Sequence, residues 1–217
     1  MKVLYSRKNL WKGQLDMGNP VKGEQLRLFI AVKLPDSLKI KLGEWRSQQQ
    51  GQLAFKKWTH REDYHITIQF LGDVSPDRVP AIAKKLQETA CQFQPFMLET
   101  GNVGVFGTET SPRVLWAGVI DHNGMLSKLQ EKVTEDMEEF GFVKESRPYR
   151  PHITIARKYA GNEPFQLHRL PALLPQTASY EQVEREDFWT VREFALFSTH
   201  LHDSPMYEIL ESFRMED

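Results

Sequence analysis

Cysteine is nearly absent from this chain. Cys91 is the only one among 217 residues, so no internal disulfide can form, and a lone thiol fits a reducing cytosol. Cys91 also has no histidine at motif spacing, which argues against a thiol nucleophile. No run of about 18 apolar residues occurs, which argues against a transmembrane helix. The first two dozen residues carry Lys2, Arg7, Lys8 and Lys12 but lack the continuous apolar stretch of a secretory signal. An excess of one charge sign is missing too: 28 Lys and Arg stand against 29 Asp and Glu, for a net charge of -1. That excludes a bulk polyanion binder and confines any nucleic-acid contact to a local patch. There is no glycine-rich loop followed by lysine and a hydroxyl residue, so ATP-dependent chemistry has no support. His200-Leu201-His202 lacks a third ligand at sensible spacing for a metal site. The expectation is a cytoplasmic monomer with no membrane contact, no metal, no cofactor and no obligate protein partner.

What is present is an ordinary globular composition, with 40% hydrophobic and 26% charged residues, enough to bury a core in one large domain or two small lobes. One tetrapeptide occurs twice, as His65-Ile66-Thr67-Ile68 and His152-Ile153-Thr154-Ile155. In an extended strand residues two apart share a face. Each copy therefore displays one imidazole and one hydroxyl on one side. Ile66, Ile68 and Phe70 in the first copy, and Ile153 and Ile155 in the second, turn to a core on the other.

The two motif histidines lie 87 positions apart, and the same shift superposes what precedes them. Arg27-Leu28-Phe29-Ile30-Ala31-Val32 slides onto Val114-Leu115-Trp116-Ala117-Gly118-Val119, and both segments read as strands. Pro35-Asp36-Ser37 then starts a helix with Leu38, Leu42 and Trp45 at helical spacing. In the second half Asp121-His122-Asn123 precedes Leu126, Leu129, Val133, Met137 and Phe140, with Gly141 placed to stop the helix. Each half is strand, helix, then a strand bearing His-x-Thr, as expected of a duplication.

Between the halves, Ser75-Pro76 opens a further helix with Val79, Ile82, Ala83 and Leu86 on one face, although Pro80 blurs its start. Residues 96–98 and 103–106 read as strand interrupted by Gly101 and Gly104, and residues 160–182 as a long connection. Residues 190–197 and 206–210 form a terminal hairpin whose tip holds Asp203-Ser204-Pro205. Residues 1–24 read as an extension of unassigned role, and residues 25–217 as a single bilobal domain.

If the two lobes face each other about a pseudo-two-fold axis, the histidines flank one cavity. An imidazole pKa near 6.5 lets one be neutral and the other protonated, which suits in-line displacement at phosphorus with one base and one acid. Thr67 and Thr154 can donate to the non-bridging phosphate oxygens. Arg157, Lys57 or Arg150 can add fixed positive charge. A single His-x-Thr is more often an ordinary strand histidine, or a threonine bonding nearby backbone; two copies in matching contexts favour catalysis. Tyr149, Arg147 and Arg150, flanked by prolines, either contact a nucleotide or shape the entry to the second motif. His60 and His122 read as solvated loop residues. Trp58, Trp116 and Trp189 read as packing, with one at a cleft rim able to stack a base.

Taken together, Arg27 to Val32, His65-Ile66-Thr67-Ile68-Gln69-Phe70-Leu71-Gly72, Pro112-Arg113-Val114-Leu115-Trp116, Arg147-Pro148-Tyr149-Arg150-Pro151 and His152-Ile153-Thr154-Ile155-Ala156-Arg157 resemble the two-histidine (2H) phosphoesterase superfamily. The branch most similar is the RNA 2',3'-cyclic phosphodiesterases, also called 2'-5' RNA ligase-like. The resemblance covers most of residues 26–213. It implies a bilobal α+β fold, with antiparallel sheets lining a central cleft and helices outside. It also implies metal-independent hydrolysis of an RNA-terminal or nucleoside 2',3'-cyclic phosphate to the 2'-phosphate. By resemblance alone, His65 is the proton donor, His152 the proton acceptor, Thr67 and Thr154 the phosphate-binding threonines, and Arg157 the second-motif arginine. Two alternatives stay open: a nucleotide or RNA-end binding module without turnover, and a phosphodiesterase acting on another cyclic phosphate such as ADP-ribose cyclic phosphate.

Overall fold

The computed structural model describes residues 25–173 and 187–216. Residues 1–24, and residues 174–182 of the expected long connection, lie outside them. Nine strands form one curled antiparallel sheet: β1 (Leu26–Lys33), β2 (Phe55–Trp58), β3 (His65–Val74), β4 (Phe96–Thr108), β5 (Ser111–Ile120), β6 (His152–Tyr159), β7 (Phe188–Val191), β8 (Glu193–Thr199) and β9 (Tyr207–Arg214). Three helices pack against it, α1 (Asp36–Gln50), α2 (Val79–Ala90) and α3 (Met125–Glu138). Strand order is β7-β4-β5-β6-β3-β1-β8-β9, with β2 added beside β6.

The 87-position shift carries β1 onto β5, α1 onto α3 and β3 onto β6. The structure shows what this does in space. β3 and β6 meet at the centre of the sheet through one antiparallel pair, Ile66 with Ile153. Those two residues are each other's repeat mates. When a residue pairs antiparallel with its own equivalent, the pseudo-two-fold axis passes between them. Both isoleucines are fully buried, each stabilising the fold by about 1.5–3 kcal/mol relative to exposure. Around them the helix-side core gathers Leu38, Leu42 and Trp45 from α1 and Leu126, Leu129, Val133 and Met137 from α3. α3 begins where the Asp121 carboxylate accepts the main-chain N–H groups of Met125 and Ser127, both at 3.0 Å. It ends at Gly141, whose φ of 80° allows the closing bonds from Gly141 and Phe142 back to Glu138 and Met137.

Three expectations need correction. Phe70 does not face the core: register slips on either side of the β1–β3 pairs Phe29–Phe70 and Ile30–Gln69 reset the alternation, and Phe70 emerges 67% exposed on the opposite face. The segment 190–197 is not one strand, because it breaks at Arg192. β7 pairs with β4 in one lobe, and β8 pairs with β1 and β9 in the other. Gly101 and Gly104 do not interrupt the strand around them, since β4 runs through both with a register shift between Thr100 and Val103. The short strand β2, pairing Lys57 with Arg157, had no signal strong enough to read.

Helix α2 is tied to α3 by a buried carboxylate. Asp136, 3% exposed, accepts the Thr89 hydroxyl at 2.5 Å and the Lys132 ammonium at 2.6 Å. Asp136→Ala leaves the buried Thr89 hydroxyl without that acceptor. We expect a loss of about 1–3 kcal/mol in urea unfolding. A double-mutant cycle with Thr89→Val should recover part of it, and strict additivity would show that the two groups do not act as a pair.

Candidate active site

The alternation of β3 and β6 puts Ile66 and Ile153 on the helix side. His65, Thr67, His152 and Thr154, each half-buried, lie on the other face. Antiparallel geometry on either side of the central pair turns His65 toward Thr154 and Thr67 toward His152. Because that pair stands alone in the register, the strands separate beyond it and a cleft opens along the axis.

Each imidazole is held in the same way. His65 Nδ1 donates to the carbonyl of Asp63 at 2.7 Å, and His152 Nδ1 donates to the carbonyl of Arg150 at 2.7 Å. A carbonyl only accepts, so the proton sits on Nδ1 in both neutral rings, leaving Nε2 as the free lone pair. His65 Nε2 meets the Thr67 hydroxyl at 3.1 Å. In the second lobe the Arg157 guanidinium approaches Thr154 Oγ1 at 3.4 Å. Thus the structure brings His65, His152, Thr67, Thr154 and Arg157 together. Lys57, on β2 directly opposite Arg157, shares its face. Arg150 contributes its carbonyl, and its side chain is exposed.

The two halves differ in their surroundings. His65 lies over an aromatic floor with Phe29 at 4.8 Å, Tyr207 edge-on at 5.1 Å and Phe197 at 6.0 Å. His152 has Phe106 edge-on at 4.8 Å and Trp116 at 6.4 Å. Trp116 is the repeat mate of Phe29, but its cross-strand partner on β4 is Gly104 where Phe29 has Phe197. A Cβ on Gly104 would run into the indole ring. Burial pushes the His65 imidazole down to about 4, helped by the positive charge of Arg157 and by His152; a hydrogen bond to the Asp63 carbonyl opposes it. Burial also lowers His152, with Arg157 adding to it and the Arg150 carbonyl opposing. Phe70, the repeat mate of Arg157, holds its exposed ring 5.9 Å from Phe29.

Tyr149 stands apart from the other members of its run. Its hydroxyl donates to the Thr67 carbonyl at 3.0 Å, so the loop before the second motif is pinned to the strand of the first. Burial, followed by the nearby Asp121 charge, pushes that phenol above its ordinary range. Arg147 instead pairs with Glu145 on the surface. Of the other histidines, His122 is exposed as expected, while His60 and His200 are half-buried. His60 Nδ1 accepts the Glu62 N–H, His122 meets Glu99 at 2.5 Å and lies along Phe188, and His200 pairs with Glu208 at 3.0 Å. Among the described residues no group of three or more His, Cys, Asp or Glu side chains is placed to hold a metal ion. Nor is any helix there long and apolar enough to cross a membrane.

Asp63, Tyr207 and the aromatic floor were not singled out from the sequence. Phe29 was visible as an aromatic matched to Trp116, but it sits in a strand buried on both faces, where alternation gives no sign of which side is the cleft.

Known proteins share this chain's fold. A family profile described as LigT like Phosphoesterase matches residues 32–116 and 120–207. The RNA 2',3'-cyclic phosphodiesterase of Bacillus subtilis is 33% identical over 187 residues, covering 86% of this chain and 95% of that protein. The RNA 2',3'-cyclic phosphodiesterase of Geobacillus stearothermophilus is 35% identical over 185 residues, 85% of this chain, which spans only 56% of that longer protein. Among solved structures, TT0787 of Thermus thermophilus superposes with a TM-score of 0.70 at 26% identity, covering 87% of this chain and 97% of its own. E. coli LigT complexed with 3'-AMP superposes at 0.68 and 22% identity, covering 89% and 100%, and shares the fold. With the duplicated histidine strands, the extent of these matches shows that the chain belongs to the LigT-like phosphoesterases of the 2H superfamily.

Proposed function

We propose that residues 25–217 act as one bilobal domain that hydrolyses RNA-terminal or nucleoside 2',3'-cyclic phosphates to 2'-phosphates. The observation that carries this is the pair of imidazoles related by the pseudo-axis, each with its proton pinned on Nδ1 by a carbonyl and its Nε2 left for chemistry. The relatives named for this activity cover most of the chain.

In the proposed reaction water attacks phosphorus in line with the 3' oxygen. His152 Nε2 takes a proton from the water as the new P–O bond forms. His65, protonated, gives its Nε2 proton to the 3' oxygen as that P–O bond breaks. Thr67, Thr154 and Arg157 face the non-bridging oxygens and stabilise charge that grows in the transition state. The exposed Phe70 ring offers a stacking platform for the terminal base. No step calls for a metal.

A donor at His65 must take up its proton along with the substrate, because burial keeps the free imidazole neutral near pH 7. The bound phosphate anion favours imidazolium and raises the pKa. The sign follows. kcat/KM, which reports the free protein, should already be falling about tenfold per unit across the neutral range, because both free imidazoles lie below their ordinary value. kcat, which reports the complex, should hold to higher pH; identical alkaline limbs would sink the coupling.

The deciding assay uses a 2',3'-cyclic nucleotide and a short RNA with a cyclic end, the product isomer being resolved by phosphorus NMR. We expect the 2'-monophosphate, with no effect of EDTA. His65→Ala and His152→Ala should each lower the rate at least about a hundredfold. Formation of the 3'-isomer would refute the direction of opening, and full activity in either variant would refute the two-histidine mechanism.

A further inference from the structure

A duplicated site starts with two equal histidines, yet general acid and general base must differ. One side chain beside the first motif, Asp63, makes contacts that its repeat mate does not make beside the second. Asp63 is 6% exposed at the end of a single 3-10 turn, Arg61–Asp63, just before β3. Its carboxylate accepts the Met206 N–H at 3.0 and 3.1 Å and the Tyr207 N–H at 3.1 Å, reaching about two-thirds of the chain length ahead to the start of β9. Among the described residues no cation lies within ion-pair distance of it, so these backbone donors are what balance the buried charge. The carbonyl of the same residue holds His65 Nδ1. The repeat mate of Asp63 is Arg150, which keeps only the carbonyl function.

We propose that the Asp63 carboxylate is a positioning residue. By anchoring the Met206–Tyr207 backbone it seats the Tyr207 ring against His65, and so adds a third ring to the cover of that imidazole where its twin has two. Tyr207 meets both His65 and Phe29 edge-on, at 5.1 and 4.8 Å. Without the anchor, the contacts that remain at the start of β9 among the described residues include the strand pairs Thr199–Tyr207 and Ser198–Glu208, the bond from His200 N–H to the Met206 carbonyl and the His200–Glu208 side-chain pair. The proposal rests on the two-histidine reading for its consequence in catalysis, but not for its physical content.

The groups facing His65 are Arg157 and His152 from β6, Thr67 from β3, Lys33 as its cross-strand neighbour on β1, and Tyr207 from β9. In Asp63→Ala all of them remain and only the anchor goes. In Asp63→Asn one oxygen acceptor survives while the charge is lost. In Tyr207→Ala the ring goes while the backbone donor and the carboxylate stay.

The test is an NMR titration of the imidazole resonances of His65 and His152 in the full chain, assigned from single histidine variants, with thermal unfolding to establish that each protein is folded. We expect Asp63→Ala and Tyr207→Ala to raise the His65 midpoint by at least about one unit toward the ordinary imidazole value, with His152 unmoved. Asp63→Asn should leave His65 near its original midpoint. An unchanged His65 in folded Asp63→Ala, equal movement of both histidines, or Asn behaving like Ala would each overturn the proposal. Because the readout is proton binding in the free protein, it stands or falls separately from the identity of the substrate.

Discussion

The structure depends on one contact, the pairing of Ile66 with Ile153 across the pseudo-axis. Two buried, β-branched residues that are each other's repeat mates fix where the axis runs. Strand alternation then leaves no freedom: if both isoleucines face the helices, both histidines and both threonines face away from them. A slip of one residue in either strand would bury the imidazoles and expose the isoleucines, so the hydrophobic core enforces the register on which the chemistry relies. The helices complete this by covering one side of the sheet only.

Symmetry accounts for the pairing of like groups, and departures from it account for unlike behaviour. Each departure lies in a part of the molecule that the duplication does not include, or at a position where the copies have diverged. The β8–β9 hairpin adds Phe197 and Tyr207 beside His65, whereas β4 supplies Phe106 beside His152 and the bare Gly104 opposite Trp116. Arg157 stands where the first copy has Phe70. One side of the cleft therefore carries a charge suited to phosphate, and the other a ring suited to a base.

How much of this was legible follows from where the information sits. The 2-residue period and the 87-position shift are local patterns repeated along the chain, and they were enough for β1, β3, β5, β6, α1 and α3 and for the grouping of His65, Thr67, His152 and Thr154. Phe70 escaped because a bulge is a property of two strands together: the extra residue shows only against its partner β1. The division of residues 190–197 at Arg192 escaped for a similar reason, since each half is good strand sequence and only pairing to different lobes separates them. Asp63 escaped because its partners lie far away in sequence, and they are backbone groups that leave no mark on side-chain identity.

The charge state of the free cleft bears on how the proposed cycle closes. Burial leaves both imidazoles neutral near pH 7, and Arg157 supplies fixed positive charge beside them. A cyclic phosphodiester brings one negative charge and favours uptake of a proton at His65. After in-line displacement that proton has gone to the 3' oxygen, and His152 holds the one taken from water. The product is a phosphomonoester whose second ionisation lies near pH 6, so it carries more negative charge than the substrate. It is held by imidazolium at His152 as well as by Arg157. Loss of the His152 proton to solvent removes that attraction and returns both rings to the neutral state that burial prefers. The low imidazole pKa values, which disfavour a standing acid in the empty site, thus favour release of the product and resetting of the pair.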